Sequence, residues 1–90
     1  MELNTRVTQN SNIDATDING DKVMMDLENG KYFAMNTISS KIWDIINKPT
    51  TIKEIVDKLR SEYEVEENHC INSVITFIEK LKKLGLVEIL

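Results

Sequence analysis

The residues most able to do chemistry are His69 and Cys70, the chain's single histidine and single cysteine. A Cys–His nucleophilic pair needs its side chains facing each other. Neighbours on a helix diverge by about 100°, so these two cannot meet if the segment is helical. A structural zinc site takes about four ligands, and one Cys with one His does not supply them. The run D-I-N-G-D at 17–21 has the look of a calcium loop but lacks the distal Glu that closes one. The acidic run Glu62–Glu67, interrupted by Tyr63 and Val65, reads as a solvated connection. With 3 glycines in all and neither G-x-x-x-x-G-K-[ST] nor G-x-G-x-x-G, no phosphate-cradling loop is encoded. No catalytic residue, metal site or cofactor is expected.

Lys31 beside the aromatics Tyr32 and Phe33 could form a stacking platform for a nucleic acid. The formal net charge of −4 argues against it, because nucleic-acid binding relies on a basic face that displaces counterions. A lone cysteine cannot make an intramolecular disulfide, which fits a reducing compartment. The N-terminus MELNTRVTQNSN lacks the apolar stretch of a signal peptide, and no run approaches the roughly 20 apolar residues that span a bilayer. A single domain over residues 1–90 in the cytoplasm, with no membrane partner, is the expectation; oligomeric state stays open.

The elements that could position a binding surface follow from pattern. Residues 1–12 are polar, read as irregular with Thr5–Thr8 as an edge strand at most. A first strand is expected over 13–18, followed by an Asn19-Gly20 turn. Val23–Glu28 and Lys31–Met35 flank Asn29-Gly30, a strong two-residue hairpin signal. That turn predicts Glu28 opposite Lys31, Leu27 opposite Tyr32, Asp26 opposite Phe33 and Met25 opposite Ala34. Val23, Met25, Leu27, Tyr32 and Ala34 then share one face, and Met24, Asp26, Phe33 and Met35 the other. Both faces carry apolar groups. Either both are partly covered, or one face or edge awaits a partner.

Asn36 is a good N-cap for a first helix with Ile38, Ile42, Ile45 and Ile46 on one stripe and Trp43 at its margin. Asn47-Lys48-Pro49 ends it. Thr51 and Glu54 make a T-x-x-E capping box for a second helix, whose apolar face is Ile52, Ile55, Val56 and Leu59. A third helix is predicted over 67–84. Val65 and Cys70 have the spacing of a hydrophobic staple about Glu66, a poor cap by type. Lys80, Lys82 and Lys83 complement the helix dipole, and Gly85 stops the helix. Leu86–Leu90 packs back or pairs as a strand. Val74, Phe77, Ile78, Leu81 and Leu84 form one stripe that Ile71 and Ile75 widen to about half the circumference, more than docking on a core requires. The surplus is either core, in a central helix, or the wall of an external groove.

Taken in order, V-M-M-D-L-E-N-G-K-Y-F-A-M-N-T-I-S-S-K-I-W, T-T-I-K-E-I-V-D-K-L, E-Y-E-V and V-I-T-F-I-E-K-L-K-K-L-G-L-V resemble the PqqD-like proteins, the recognition elements for precursors of ribosomally made, post-translationally modified peptides. The likeness runs over about residues 13–88. It implies an α+β fold, winged helix-turn-helix-like, with a three-stranded antiparallel sheet followed by three helices. It implies a non-catalytic protein that binds the leader segment of a precursor peptide as an added strand and hands it to a leader peptidase or other modifying enzyme. Stand-alone members of this length are similar to the recognition proteins of lasso-peptide clusters; others deliver precursors to radical-SAM enzymes. By position, the pairing strand would be Lys31, Tyr32, Phe33, Ala34 and Met35, and the helix flank Ile71, Ile75, Ile78, Glu79 and Lys82. Ser39 stands where Gly or Ala is common, and Glu66 where Asp or Ser often caps. A basic residue in the leader is expected from the acidity of the chain. The competing readings are a winged-helix DNA-binding regulator and a homodimer built on the apolar face of the third helix.

Overall fold

A computed structural model describes every residue except Asn12, Gly20, Leu27 and Asn29. Strands β1 (Arg6–Gln9), β2 (Ile13–Ile18), β3 (Asp21–Asp26) and β4 (Lys31–Met35) precede helix α1 (Thr37–Ile45). Strand β5 (Thr50–Thr51), helices α2 (Ile52–Glu62) and α3 (Glu67–Lys83) and strand β6 (Val87–Ile89) complete the chain. The expected antiparallel sheet, ordered β2-β3-β4, is present and is followed by the three helices. A second three-stranded sheet, ordered β5-β1-β6, joins the two ends of the chain.

That second sheet corrects the reading of the N-terminus. The strand covers Arg6–Gln9, not Thr5–Thr8, and it is central rather than an edge. Val7 pairs with Thr50 on one side and Ile89 on the other and is 0% exposed. One buried valine among polar neighbours is a faint strand signal, and its partners lie more than 40 residues away. The polar side chains around it satisfy distant backbone groups instead of solvent. Gln9 Nε2 donates to the Trp43 carbonyl at 2.7 Å, and Asn10 Nδ2 to the Gly85 carbonyl at 2.9 Å.

The hairpin pairs Asp26 with Lys31, Met25 with Tyr32, Met24 with Phe33 and Val23 with Ala34. This is two residues off the expected register, in which Glu28 opposed Lys31. The pairing of Leu27 and the geometry of the Asn19-Gly20 and Asn29-Gly30 turns lie outside the described residues; Asn19 (φ 54°) and Gly30 (φ 65°) do adopt the left-handed conformation such turns need. An even slip leaves every side chain on its face. The two predicted faces are therefore the observed ones. Met24 and Met35 are buried and Phe33 half-buried, whereas Tyr32 on the other face is 73% exposed.

α1 carries the sheet onto the helices. Asn36 caps it, its Oδ1 accepting from the Ser39 N–H at 2.9 Å. Buried Ser40 is a clasp: its Oγ accepts from the Lys22 N–H at 3.1 Å and donates to the Met35 carbonyl at 3.3 Å. Lys22 Nζ adds ion pairs to Asp17 at 3.1 Å and Asp44 at 3.0 Å, tying the sheet to α1. Trp43, expected at the margin of the stripe, is instead 1% exposed in the core with Ile42 and Ile46, while Ile38 is 48% exposed. Ile38 lies in the first turn of the helix, one turn before the buried Ile42.

α2 begins at Thr51, whose Oγ1 accepts from the Glu54 N–H at 3.1 Å as the capping box predicts. α3 ends in a Schellman motif: the Leu86 N–H donates to the Leu81 carbonyl at 2.9 Å, the Gly85 N–H to Lys82 at 3.0 Å, with Gly85 at φ 78°. Glu66 proves an effective cap for α3. Its two carboxylate oxygens accept from the Asn68 N–H at 3.0 Å and the His69 N–H at 2.7 Å. Those two bonds hold its pKa below the ordinary glutamate value. A depressed carboxylate contributes stability above its unfolded pKa and loses it as pH falls through the folded value. Thermal melts should therefore show a component of stability that declines from the normal glutamate range downward. In Glu66→Gln that component should be absent, and a wild-type slope persisting in the variant would remove the assignment.

Candidate functional site

The β2-β3-β4 order leaves one edge of β4 without a neighbouring strand among the described residues. That edge is not covered by either end of the chain, since β1 and β6 pair with each other in the other sheet. Unpaired edge N–H and C=O groups are a template for another strand. Beside the edge lies a cleft of about 410 Å³. Residues 32–36 of the strand side form one wall, and Phe77, Lys80 and Leu81 of α3 with its C-cap Leu84 form the other, Ser39 and Leu86 also lining the cleft.

A second hollow of about 260 Å³ lies next to the cleft and shares Ser39 and Phe77 with it as lining residues. Its walls are almost wholly apolar: Ile38 and Ile42 from α1, Leu59 and Tyr63 from α2 and its end, Val65, and Cys70 and Val74 from α3. A 150 Å³ cavity already admits benzene, so this volume accepts one aromatic or branched aliphatic side chain. Half-exposed Ile38 is one of the residues that line this hollow. The staple pair Val65 and Cys70 shapes the floor. Burial pushes the Cys70 thiol up from its ordinary pKa, which keeps it protonated and makes it a lining group rather than a nucleophile.

The strand residues expected at the site, Lys31, Tyr32, Phe33, Ala34 and Met35, form β4 and its edge. The helix residues expected beside them, Ile71, Ile75, Ile78, Glu79 and Lys82, do not line this cleft. Ile78 is 0% exposed and belongs to the core, and Ile71 and Ile75 are half-buried against that core. Glu79 and Lys82 line a separate depression with Met1, Thr5 and Ile89. The cause is helix phase: five residues, or about 500°, separate Ile75 from Lys80, so the two point about 140° apart. The surplus apolar arc of α3 is thus divided. Ile71, Ile75 and Phe77 are all half-buried against the core, and of the three only Phe77 also lines the cleft, with Leu84 just past the helix end. Ser73, Phe77, Lys80 and Leu84, spaced three or four apart, were the legible signal for the cleft side.

Charge also differs locally from the whole. The acidic chain suggested a site attractive to a basic group, but no carboxylate lines the cleft or the hollow, and Lys80 does line the cleft. The three lysines that end α3 do not make one basic face, since Lys82 looks toward the terminal sheet. Among the described residues no cluster of three His, Cys, Asp or Glu could hold a metal, and no helix is long and apolar enough to cross a membrane.

The sequence pattern of the family described as coenzyme PQQ synthesis protein D, PqqD, matches residues 21–87. This chain belongs to the PqqD family. The PqqD match begins at β3 and ends on the first residue of β6, so it contains the open edge and both walls of the cleft. Among solved structures, "TbiB1 in complex with the TbiA(beta) leader peptide" is 25% identical, with 90% of this chain and 94% of that one covered and a TM-score of 0.84. A lasso peptide synthetase B1 complexed with the leader peptide is 21% identical, covers 91% and 96%, and has a TM-score of 0.82, a likeness of fold. No curated protein matches this PqqD-family chain.

Proposed function

We propose that this PqqD-family protein binds the leader segment of a ribosomally made precursor peptide, as in lasso-peptide biosynthesis, and presents it to a leader peptidase or other modifying enzyme. It does so in the cytoplasm, as one domain and without chemistry of its own. The observation that carries the reading is the unpaired edge of β4 facing an apolar cleft. A peptide laid along Lys31–Met35 satisfies the edge groups, gaining affinity from main-chain bonds and specificity from alternate side chains. One alternate set would meet Phe77, Leu81 and Leu84, and an apolar anchor would enter the hollow beside Phe77. The 25% identical relative solved with a leader peptide supports the same occupant.

Selection of a random 12-residue peptide display library on the protein, followed by amide hydrogen exchange with a selected peptide bound, tests the reading. New protection at Lys31–Met35 is the expected result. Tight peptides that leave those amides exchanging as in the free protein would refute strand addition.

A further inference from the structure

We infer that the cleft is a charge-selective recognition site, in which the Lys80 ammonium group pairs with a carboxylate of the guest peptide two or four residues from its apolar anchor. The inference rests on the strand-addition reading above and specifies the peptide it accepts. Lys80 lines the cleft beside β4 and also the shallow neighbouring face of α3 with His69 and Thr76. Neither surface has a carboxylate among its lining residues. Four of the 11 basic residues, Lys22, Lys41, Lys53 and Arg60, hold an acidic partner within 3.1 Å. Among the described residues Lys80 has no such partner.

The partial negative charge at the end of α3 favours a lysine there but leaves the ammonium hydrogens for solvent or a guest. Lys80 is exposed in the free protein, and an ion pair formed there strengthens as the guest, with apolar Phe77, Leu81 and Leu84, excludes water from it. The chain as a whole, at net −4, repels an acidic peptide, so a carboxylate that pairs here fixes the register. A guest lysine at that position would meet a like charge.

Spacing follows from the helix. Six residues separate Val74, on the wall of the hollow, from Lys80, about 9 Å at 1.5 Å per residue. An extended guest covers that in about three residues, and its cleft-facing side chains recur every second one. Two or four residues between anchor and acid are the spacings that satisfy both.

Parallel selections of a random 12-residue library on wild type, Lys80→Glu and Lys82→Glu test this, with circular dichroism establishing that each variant is folded. Wild type and Lys82→Glu should enrich Asp or Glu at the stated spacing from an aromatic or aliphatic residue, and Lys80→Glu should enrich Lys or Arg at the same place. A selected peptide should lose about tenfold in affinity when its acid becomes the amide. Enrichment of the apolar anchor with no acidic preference, or the same preference in Lys80→Glu, would overturn the inference while leaving strand addition standing. No enrichment on wild type would overturn both.

Discussion

Phe77→Asp is expected to weaken peptide binding by about 100-fold or more while the protein stays folded. The ring is shared by the cleft and the hollow, so a guest crossing from one to the other must pass over it. Its half-burial in the free protein means that replacement costs the fold about 1–2 kcal/mol, less than full burial of such a side chain is worth. Binding loses more. The guest forfeits an apolar surface and meets a carboxylate in a place walled by Leu81 and Leu84. The new charge also lies one turn from Lys80 and pairs with it along the helix. A hundredfold loss corresponds to about 2.7 kcal/mol. Phe77→Ala separates the contributions, since it removes only the ring and should cost about tenfold. Fluorescence anisotropy with a peptide selected on wild type reads both losses, and thermal melts show whether the fold survives. Wild-type affinity in folded Phe77→Asp would exclude this cleft as the binding site.

Local rules made much of this legible. Asn36 and Thr51 cap the helices they were expected to cap, and Gly85 closes α3 with both bonds of a Schellman motif, because each depends only on residues a few positions away. The β3–β4 register was misplaced by two, yet the inner and outer faces came out right, since strand periodicity is two. What the sequence concealed was long-range. β1 joins a strand near residue 50 to one near residue 88, and nothing in R-V-T-Q encodes those partners. Helix phase is ambiguous for a related reason. Apolar side chains ran round half of α3, so composition could not tell which flank the core would take. Ile71, Ile75 and Phe77 all pack on the margin of the core, and of these only Phe77 also lines the cleft, with Lys80 and Leu84. Net charge is an equally coarse guide to the site. A sum over the chain says nothing of one lysine placed among apolar neighbours.

Ile78→Ala should do the opposite of Phe77→Asp, although the two residues are adjacent. Ile78 is 0% exposed and sits with Val74 and Leu81 on the buried side of α3. Truncating a buried isoleucine to alanine costs about 2–5 kcal/mol through lost transfer energy and the cavity left behind. A small protein has about 5–15 kcal/mol in all, toward the lower end at this size, so the loss is a large part of the total. Urea unfolding should show a midpoint shifted well down with a nearly unchanged slope, as expected when stability changes but the surface exposed does not. The fraction that remains folded should bind a selected peptide with affinity within about threefold of wild type, because Ile78 lines neither the cleft nor the hollow. Binding measured well below the urea transition keeps the two effects apart. A variant as stable as wild type that failed to bind would mean that the helix presents its other flank to the guest, returning Ile71 and Ile75 to the site.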